Sequence, residues 1–142
     1  MSDPMENPLV TAVERVGDRW TLLIVDALLG GPRRFGDLRD EVAGIAPNIL
    51  SGRLRTLERD GLVTARPYSR RPLRVAYDLT ASGRELAGAL RLLAQWGAST
   101  LAGAEALRHE VCGTPMEARW YCPTCARVVD ETVAREAELR YV

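Results

Sequence analysis

The segment from Arg33 to Leu79 constrains the fold of this chain most strongly, because its apolar pattern changes character partway along. Its first part has apolar residues three or four apart, which predicts two short amphipathic helices joined at Gly44. Its second part alternates apolar and polar residues, which predicts a two-stranded hairpin. The segment therefore predicts an α+β domain that is mainly helical and carries one small β-hairpin.

Three helices are predicted ahead of the hairpin. The first is a long helix over residues 13–28, which the Gly-Gly-Pro run at 30–32 brings to an end. The second is short and covers residues 35–42. The third covers residues 47–60, with proline in its first turn and Gly61 just past its end.

The hairpin and a last helix complete this part of the chain. Residues 62–68 and 73–79 are the predicted strands, and residues 69–72 are the predicted tip. A long final helix follows, capped either by Thr80 or by Ser82. Its apolar side chains cover more of its circumference than one small core requires, so we expect a second helix or subunit to cover it.

The charge of the chain is distributed unevenly. The formal net charge is zero, but residues 33–74 contain ten arginines and five acidic residues, a net charge of +5. The remaining residues carry the compensating negative charge. A basic excess confined to the helical pair and the hairpin indicates a polyanionic partner, and we expect double-stranded DNA.

The third predicted helix has the two faces that DNA reading needs. Leu50, Leu54 and Leu57 form its apolar stripe, and the opposite face is polar or small. We expect three side chains near the start of that face to contact base edges, because Asn pairs with adenine, Arg pairs with guanine and Ser donates or accepts. These three are Asn48, Ser51 and Arg55.

The other arginines of the segment are predicted to contact the DNA backbone. Arg33, Arg34, Arg53 and Arg59 are expected at phosphates, where they add affinity without sequence information. Arg70 and Arg71 lie at the predicted hairpin tip and are expected to reach the adjacent minor groove. The alternative is a solvated charged face, which is favoured for Arg39, Arg53 and Arg66 taken one at a time.

Several motifs in order also resemble a known family. The runs VGDRWTLLI at 16–24, RFGDL at 34–38, LSGRLRTLERDGLV at 50–63 and YDLT at 77–80 resemble the HxlR family of winged helix-turn-helix transcriptional regulators. The resemblance covers about residues 7 to 100. It implies a homodimer built from the terminal helices, which binds inverted-repeat operators and acts as a repressor.

One feature of that family is missing here. Many members carry Cys-Pro just ahead of the first helix, and in some of them this thiol senses oxidants or electrophiles. This chain has Asn7 followed by Pro8. Sensing at that position is therefore excluded.

All three cysteines lie in the C-terminal tail. We expect a winged-helix and dimerisation domain over residues 7–104 and a zinc-knuckle extension over residues 105–142. The extension contains His-x-x-Cys followed by Cys-Pro-Thr-Cys, and this spacing predicts one structural Zn²⁺ held by three cysteines and one histidine. The predicted ligands are His109, Cys112, Cys122 and Cys125.

The tail leaves several alternatives open. His109 is the weakest of the four ligands, and Glu110 or water is its possible substitute. A thiol switch is compatible with the zinc site: oxidation would join Cys122 and Cys125 in a disulfide, expel the zinc and loosen the tail, which would change the DNA affinity. A zinc-dependent nucleobase deaminase fits poorly, because its signature has His-x-Glu and a proline directly before the first Cys of Cys-x-x-Cys, where this chain has Tyr121.

Two further expectations concern surroundings and ligands. The chain has no apolar run long enough to cross a bilayer and no signal-peptide pattern at its start, so a cytoplasmic protein without membrane association is expected. No residue indicates a particular small-molecule effector. Residues 134–139 have some helical character.

Overall fold

A computed structural model describes residues 7–104 and 107–129 of the chain. It divides the chain into two compact units, of which one is Val10–Arg91 and the other comprises the remaining residues. The helical character expected for residues 134–139 lies outside the described residues. The domain boundary expected after residue 104 stays a prediction.

The described residues form six helices and two small antiparallel sheets. The helices are α1 (Pro8–Val16), α2 (Arg19–Leu29), α3 (Phe35–Glu41), α4 (Pro47–Arg59), α5 (Ala81–Arg84) and α6 (Ala87–Ala98). The strands are β1 (Arg33–Arg34), β2 (Val63–Arg70), β3 (Leu73–Leu79), β4 (Trp120–Cys122) and β5 (Arg127–Val129). One sheet has the order β1-β3-β2, and the other pairs β4 with β5.

The prediction of one long first helix was wrong, because the chain breaks at Gly17 and Asp18 into α1 and α2. The Asp18 carboxylate accepts hydrogen bonds from the backbone N–H groups of Trp20 and Thr21, each at 3.1 Å, and so caps a new helix. A side chain at Gly17 would collide with the carbonyl oxygen of Val13. The apolar spacing continues across the break, which is why periodicity alone did not reveal it.

We expect Asp18→Ala to lower the free energy of unfolding by about 1 kcal/mol at neutral pH, since it removes a helix cap. Partial burial opposes the shift, but hydrogen bonds from Thr21 and Arg53 hold the pKa of Asp18 below its usual value. Stability from a depressed carboxyl pKa is present above the unfolded-state pKa of about 4 and is lost as the pH falls through the folded value.

Urea titrations at pH 7 and at pH 3 measure this effect. The stability difference between the wild type and Asp18→Ala is expected at pH 7 and should shrink at pH 3. Asp26→Ala, an exposed change on the same helix, serves as the control and should alter stability by less than about 0.5 kcal/mol. Equal stability of wild type and Asp18→Ala at pH 7 would refute the assigned cap.

The unit Val10–Arg91 has one continuous apolar core. Helices α2, α3 and α4 pack over strands β2 and β3, and their inward side chains are almost fully buried. This burial supplies the main stabilisation of the unit and fixes how α4 is presented. The core includes Ile24, Val25, Leu28, Leu38, Leu50, Leu54, Leu57, Val63 and Leu79.

The single final helix that was predicted is divided into α5 and α6 in the structure. Thr80 caps the first of them, because its hydroxyl oxygen accepts a hydrogen bond from the Gly83 N–H at 3.1 Å. The same hydroxyl donates to the Gly61 carbonyl at 2.6 Å. Gly83 packs against the carbonyl of Leu62 so closely that a Cβ would not fit. The start of this helix is thereby tied to the end of α4.

Helices α1 and α6 each expose several large apolar side chains. On α1 these are Leu9, Val10 and Val13. On α6 they are Leu92, Leu93 and Trp96, and Trp96 is 72% exposed. Within residues 7–104 and 107–129, no helix has the length and apolar character needed to cross a membrane.

Candidate nucleic-acid interface

Helices α3 and α4 form a helix-turn-helix. The turn between them contains Gly44, whose φ of +80° is a left-handed conformation that favours glycine. The buried side chain of Ile45 anchors the turn to the core. Pro47 then occupies the first turn of α4, where its missing N–H costs no hydrogen bond.

The orientation predicted for α4 is confirmed. Leu50, Leu54 and Leu57 face the core, with at most 1% of each residue exposed. The opposite face is open to solvent at Asn48, Arg55 and Arg59 and is half-buried at Ser51 and Gly52. The polar face of this helix is thus presented to solvent at its N-terminal turns, as reading of a major groove requires.

The arginines on the open face of α4 make only weak contacts. The Arg55 Nε donates to the Ser51 carbonyl oxygen at 3.4 Å, and the Arg59 Nε lies 3.3 Å from a carboxylate oxygen of Asp60. Exposed contacts of this kind contribute little free energy. Both guanidinium groups are therefore available to a stronger anionic partner.

Arg53 is placed differently from the other arginines of α4. Its Nε lies 3.0 Å from the Asp18 carboxylate oxygen at the start of α2. At the other end of α4, the Arg15 guanidinium donates to the Asp60 carbonyl oxygen at 3.3 Å. These contacts tie α4 to the α1–α2 junction. The phosphate contact expected for Arg53 stays a prediction, and it would require Arg53 to share its guanidinium with Asp18.

Arg33 and Arg34 form strand β1, which the sequence did not predict because two residues are too few to show alternation. Arg33 pairs with Tyr77 and Arg34 with Ala76 on β3. The Arg33 side chain is mostly enclosed, and its Nε lies 2.6 Å from a carboxylate oxygen of Glu41. This ion pair holds the Arg33 guanidinium against the domain. The phosphate contact expected for Arg33 stays a prediction.

Arg34 is more open than Arg33. Its Nε lies 3.2 Å from an Asp37 carboxylate oxygen, which also accepts a hydrogen bond from the Arg34 backbone N–H at 2.9 Å. These contacts lower the pKa of Asp37 and, together with a hydrogen bond to Tyr68, raise the pKa of Arg34. Arg34 therefore stays charged at the edge of the hairpin, where a phosphate contact is predicted.

Strands β2 and β3 form the wing, as predicted. The turn at the tip is shorter than the predicted residues 69–72, because β2 continues to Arg70, which pairs with Leu73. Arg70 and Arg71 are exposed there. Arg74 is absent from the predicted site, although Arg74 is an exposed cation opposite Ser69 on the same hairpin. The alternation that predicted the strand was the available signal for it.

The four predicted metal ligands are found as two pairs. The Nδ1 of His109 lies 3.3 Å from the Cys112 Sγ, and hydrogen bonding with Thr114 and His109 lowers the pKa of Cys112 to about 7. Hydrogen bonds from the Cys125 backbone and side chain lower the pKa of Cys122. Among residues 7–104 and 107–129, no three His, Cys, Asp or Glu side chains converge on one metal position. The zinc site stays a prediction.

A helix-turn-helix with an exposed polar second helix, followed by a basic two-stranded wing, defines the winged helix-turn-helix class of DNA-binding transcriptional regulators. The family model described as HxlR-like helix-turn-helix matches residues 15–105. The chain therefore belongs to the HxlR-like helix-turn-helix family.

Named relatives agree with this membership. The HTH-type transcriptional regulator Rv3095 of Mycobacterium tuberculosis strain H37Rv is 43% identical in an alignment of 122 residues that covers 83% of this chain and 77% of that protein. A match that covers 83% of the chain must extend past residue 105, where the family model ends, even if it begins at residue 1. The similarity to Rv3095 therefore includes part of the tail. The HTH-type regulator YtfH of Escherichia coli strain K12 is 34% identical over 72% of this chain and 82% of its own length.

Solved structures show the same fold. The redox regulator HypR in its reduced form is 30% identical, with a TM-score of 0.63 over 66% of this chain and 93% of its own. A regulator of the MarR family from Porphyromonas gingivalis W83 is 30% identical, with a TM-score of 0.64 over 71% of this chain and 98% of its own. The reduced form of YodB from Bacillus subtilis is 27% identical, with a TM-score of 0.58 over 74% and 100%.

Proposed function

We propose that this protein is a homodimeric repressor that binds an inverted-repeat operator through α4 and the wing. The observation that carries the proposal is the open polar face of α4, which leaves Asn48 and Arg55 free to meet base edges while three leucines hold the helix to the core. Family membership supports DNA binding as the use of this face.

The proposed contacts divide into base reading and backbone positioning. Asn48, Ser51 and Arg55 examine bases in the major groove, where bidentate pairs give the strongest discrimination. The remaining arginines hold the register by contacting phosphates and the adjacent minor groove. These are Arg33, Arg34, Arg53, Arg59, Arg70 and Arg71.

Exposed apolar helices support the dimer. Leu9, Val10 and Val13 on α1, and Leu92, Leu93 and Trp96 on α6, would each be costly to leave in water. A second copy of the chain that covers these helices would form a symmetric pair with two α4 helices. Such a symmetric pair reads an inverted repeat, because the two-fold axis of the protein coincides with that of the DNA.

Replacing Trp96 with aspartate is expected to shift the protein from dimer to monomer, because the change puts a charge into the proposed interface. Sedimentation equilibrium at micromolar concentration measures the mass. Thr100→Asp adds the same charge at an exposed position just after α6 and serves as the control. A wild type that sediments as a monomer would contradict the proposed dimer, as would an undisturbed dimer of the Trp96→Asp variant.

Selection of genomic fragments by the purified protein tests the proposed function. Bound fragments are expected to share an inverted repeat with half-sites about 10 base pairs apart or a multiple of that spacing. A promoter that contains the repeat should become more active when the gene for this protein is deleted. Fragments without any shared motif would refute sequence-specific binding, and lower promoter activity after deletion would refute repression.

A thiol-responsive regulator is a second candidate, favoured by the contact between Cys122 and Cys125. A peroxide would supply the oxidant: two thiols and one hydrogen peroxide give one disulfide and two waters. We expect the oxidised tail to alter operator affinity. Affinity measured before and after peroxide, with Cys122→Ser as the control, decides the matter, and unchanged affinity after complete disulfide formation would eliminate this candidate.

A further inference from the structure

The tail between residues 107 and 129 consists of two successive hairpins. In the first, the Met116 N–H donates to the Leu107 carbonyl at 2.7 Å, and the His109 N–H donates to the Thr114 carbonyl at 2.9 Å. In the second, β4 and β5 are paired up to Cys122, which lies opposite Arg127. Each hairpin therefore carries one of the two ligand motifs at its turn.

The two turns share an uncommon backbone feature. The residue directly after the second potential ligand of each turn has a left-handed conformation, with φ of +69° at Gly113 and +52° at Ala126. Ala126 is the one non-glycine residue with positive φ in the described part of the chain. Such a conformation is strained for alanine, and strained residues of this kind are often found at functional sites. In both turns, a residue with positive φ therefore directly follows the second potential ligand, and the chain reverses there.

That reversal brings the side chains within each turn together. The His109 Nδ1 and the Cys112 Sγ are 3.3 Å apart, and Cys122 is hydrogen-bonded to Cys125. Backbone groups of Thr124 and Cys125 also hydrogen-bond to the Cys122 sulfur. Each turn consequently holds two potential ligands close together.

Residues 107–129 have no apolar core of their own that would hold the two hairpins together. Of residues 107–129, all are exposed except Cys122 and Val129, which are half-buried. Segments this small fold with the help of disulfides or a metal. Three cysteines cannot all be paired within one chain, whereas three thiolates and an imidazole complete a tetrahedral site. The exposed apolar side chains are Leu107, Val111, Met116, Trp120, Tyr121 and Val128.

We propose that His109, Cys112, Cys122 and Cys125 bind one Zn²⁺. The two ligand pairs do not converge among the described residues, so the metal would draw the two hairpin turns together into a zinc ribbon. Zinc is the metal that fits best, because thiolate and imidazole ligands in tetrahedral geometry are its usual structural set. Four protein ligands leave no open position for a substrate, so the metal has a folding role. Histidine coordinates through Nδ1, the ring nitrogen that faces Cys112.

Metal analysis of the full-length protein tests the proposal. Purified wild type is expected to hold about one zinc ion per chain. After replacement by Co²⁺, it should show the visible absorption of a tetrahedral site and the near-ultraviolet bands of thiolate ligands. Cys122→Ser should lose both signals. Thr124→Ala changes the same turn without removing a ligand and should keep them.

Variants of His109 separate the assigned ligand from a general loss of structure. His109→Ala should weaken zinc affinity by at least about tenfold, while His109→Cys should retain zinc through four thiolates. Wild-type protein without bound zinc, or Co²⁺ spectra that Cys122→Ser leaves unchanged, would overturn the proposal. Equal zinc affinity of His109→Ala and wild type would show that His109 is not a ligand, which would contradict the proposed ligand set. Operator binding is a separate measurement, because the proposed DNA-reading residues all lie within Val10–Arg91.

Discussion

Replacing Arg55 and Arg70 together with alanine is expected to weaken operator binding about 100-fold or more. Loss of one bidentate base contact costs about 1–3 kcal/mol, and a homodimer loses it in both half-sites. Loss of the wing cation removes a contact near the DNA backbone from each protomer, so the slope of log affinity against log salt should fall by about 2. Fluorescence anisotropy over a series of salt concentrations measures both quantities.

Arg119→Ala is the matched control for this variant. It removes an arginine of the tail, which is paired with Glu117 and lies outside the unit Val10–Arg91. The control should keep wild-type affinity and salt slope. If the double variant behaved like Arg119→Ala, the surface assigned to DNA would be wrong, even if the protein bound DNA elsewhere.

Leu54→Ala is expected to lower the free energy of unfolding by about 2–5 kcal/mol. The side chain is 1% exposed and lies in the middle of the stripe that holds α4 to the core, so its removal leaves a cavity. Because α4 contributes the proposed base contacts, operator affinity should fall with the folded fraction. Urea unfolding followed by circular dichroism measures the stability.

Leu73→Ala makes the same chemical change at a position that is 71% exposed on the wing. It should alter the free energy of unfolding by less than about 0.5 kcal/mol. Similar losses of stability for Leu54→Ala and Leu73→Ala would contradict the burial of the α4 leucines, and with it the orientation of the whole helix.

The helix-turn-helix and the wing could be predicted from the sequence because the apolar residues of each follow a simple spacing. Leu50, Leu54 and Leu57 repeat at helical spacing because all three contact one core. The apolar residues of β3 alternate with polar ones in the sequence, which predicted the strand. Burial along β3 instead decreases towards the tip, because Leu79 is buried, Val75 is half-buried and Leu73 is exposed. Leu50, Leu54 and Leu57 define the inner face of α4. Because an α-helix turns by 100° per residue, the residues on the opposite face could then be identified.

Features that depend on a single capping group or on contacts between distant residues could not be predicted from apolar spacing. The break between α1 and α2 depends on hydrogen bonds to one carboxylate, that of Asp18, while the apolar spacing continues through it. Strand β1 depends on pairing with β3, which is far away in sequence. The ion pairs of Arg33 with Glu41 and of Arg53 with Asp18 are likewise tertiary contacts that a charge count does not show.

Base preference of the Arg55→Ala variant tests the central claim most directly. Selection from DNA with randomised half-sites should give one inverted repeat for the wild type. The variant should lose its preference for guanine at one position in each half-site and keep the preferences at the other positions. Identical base preferences for the variant and the wild type would contradict reading of sequence by the open face of α4.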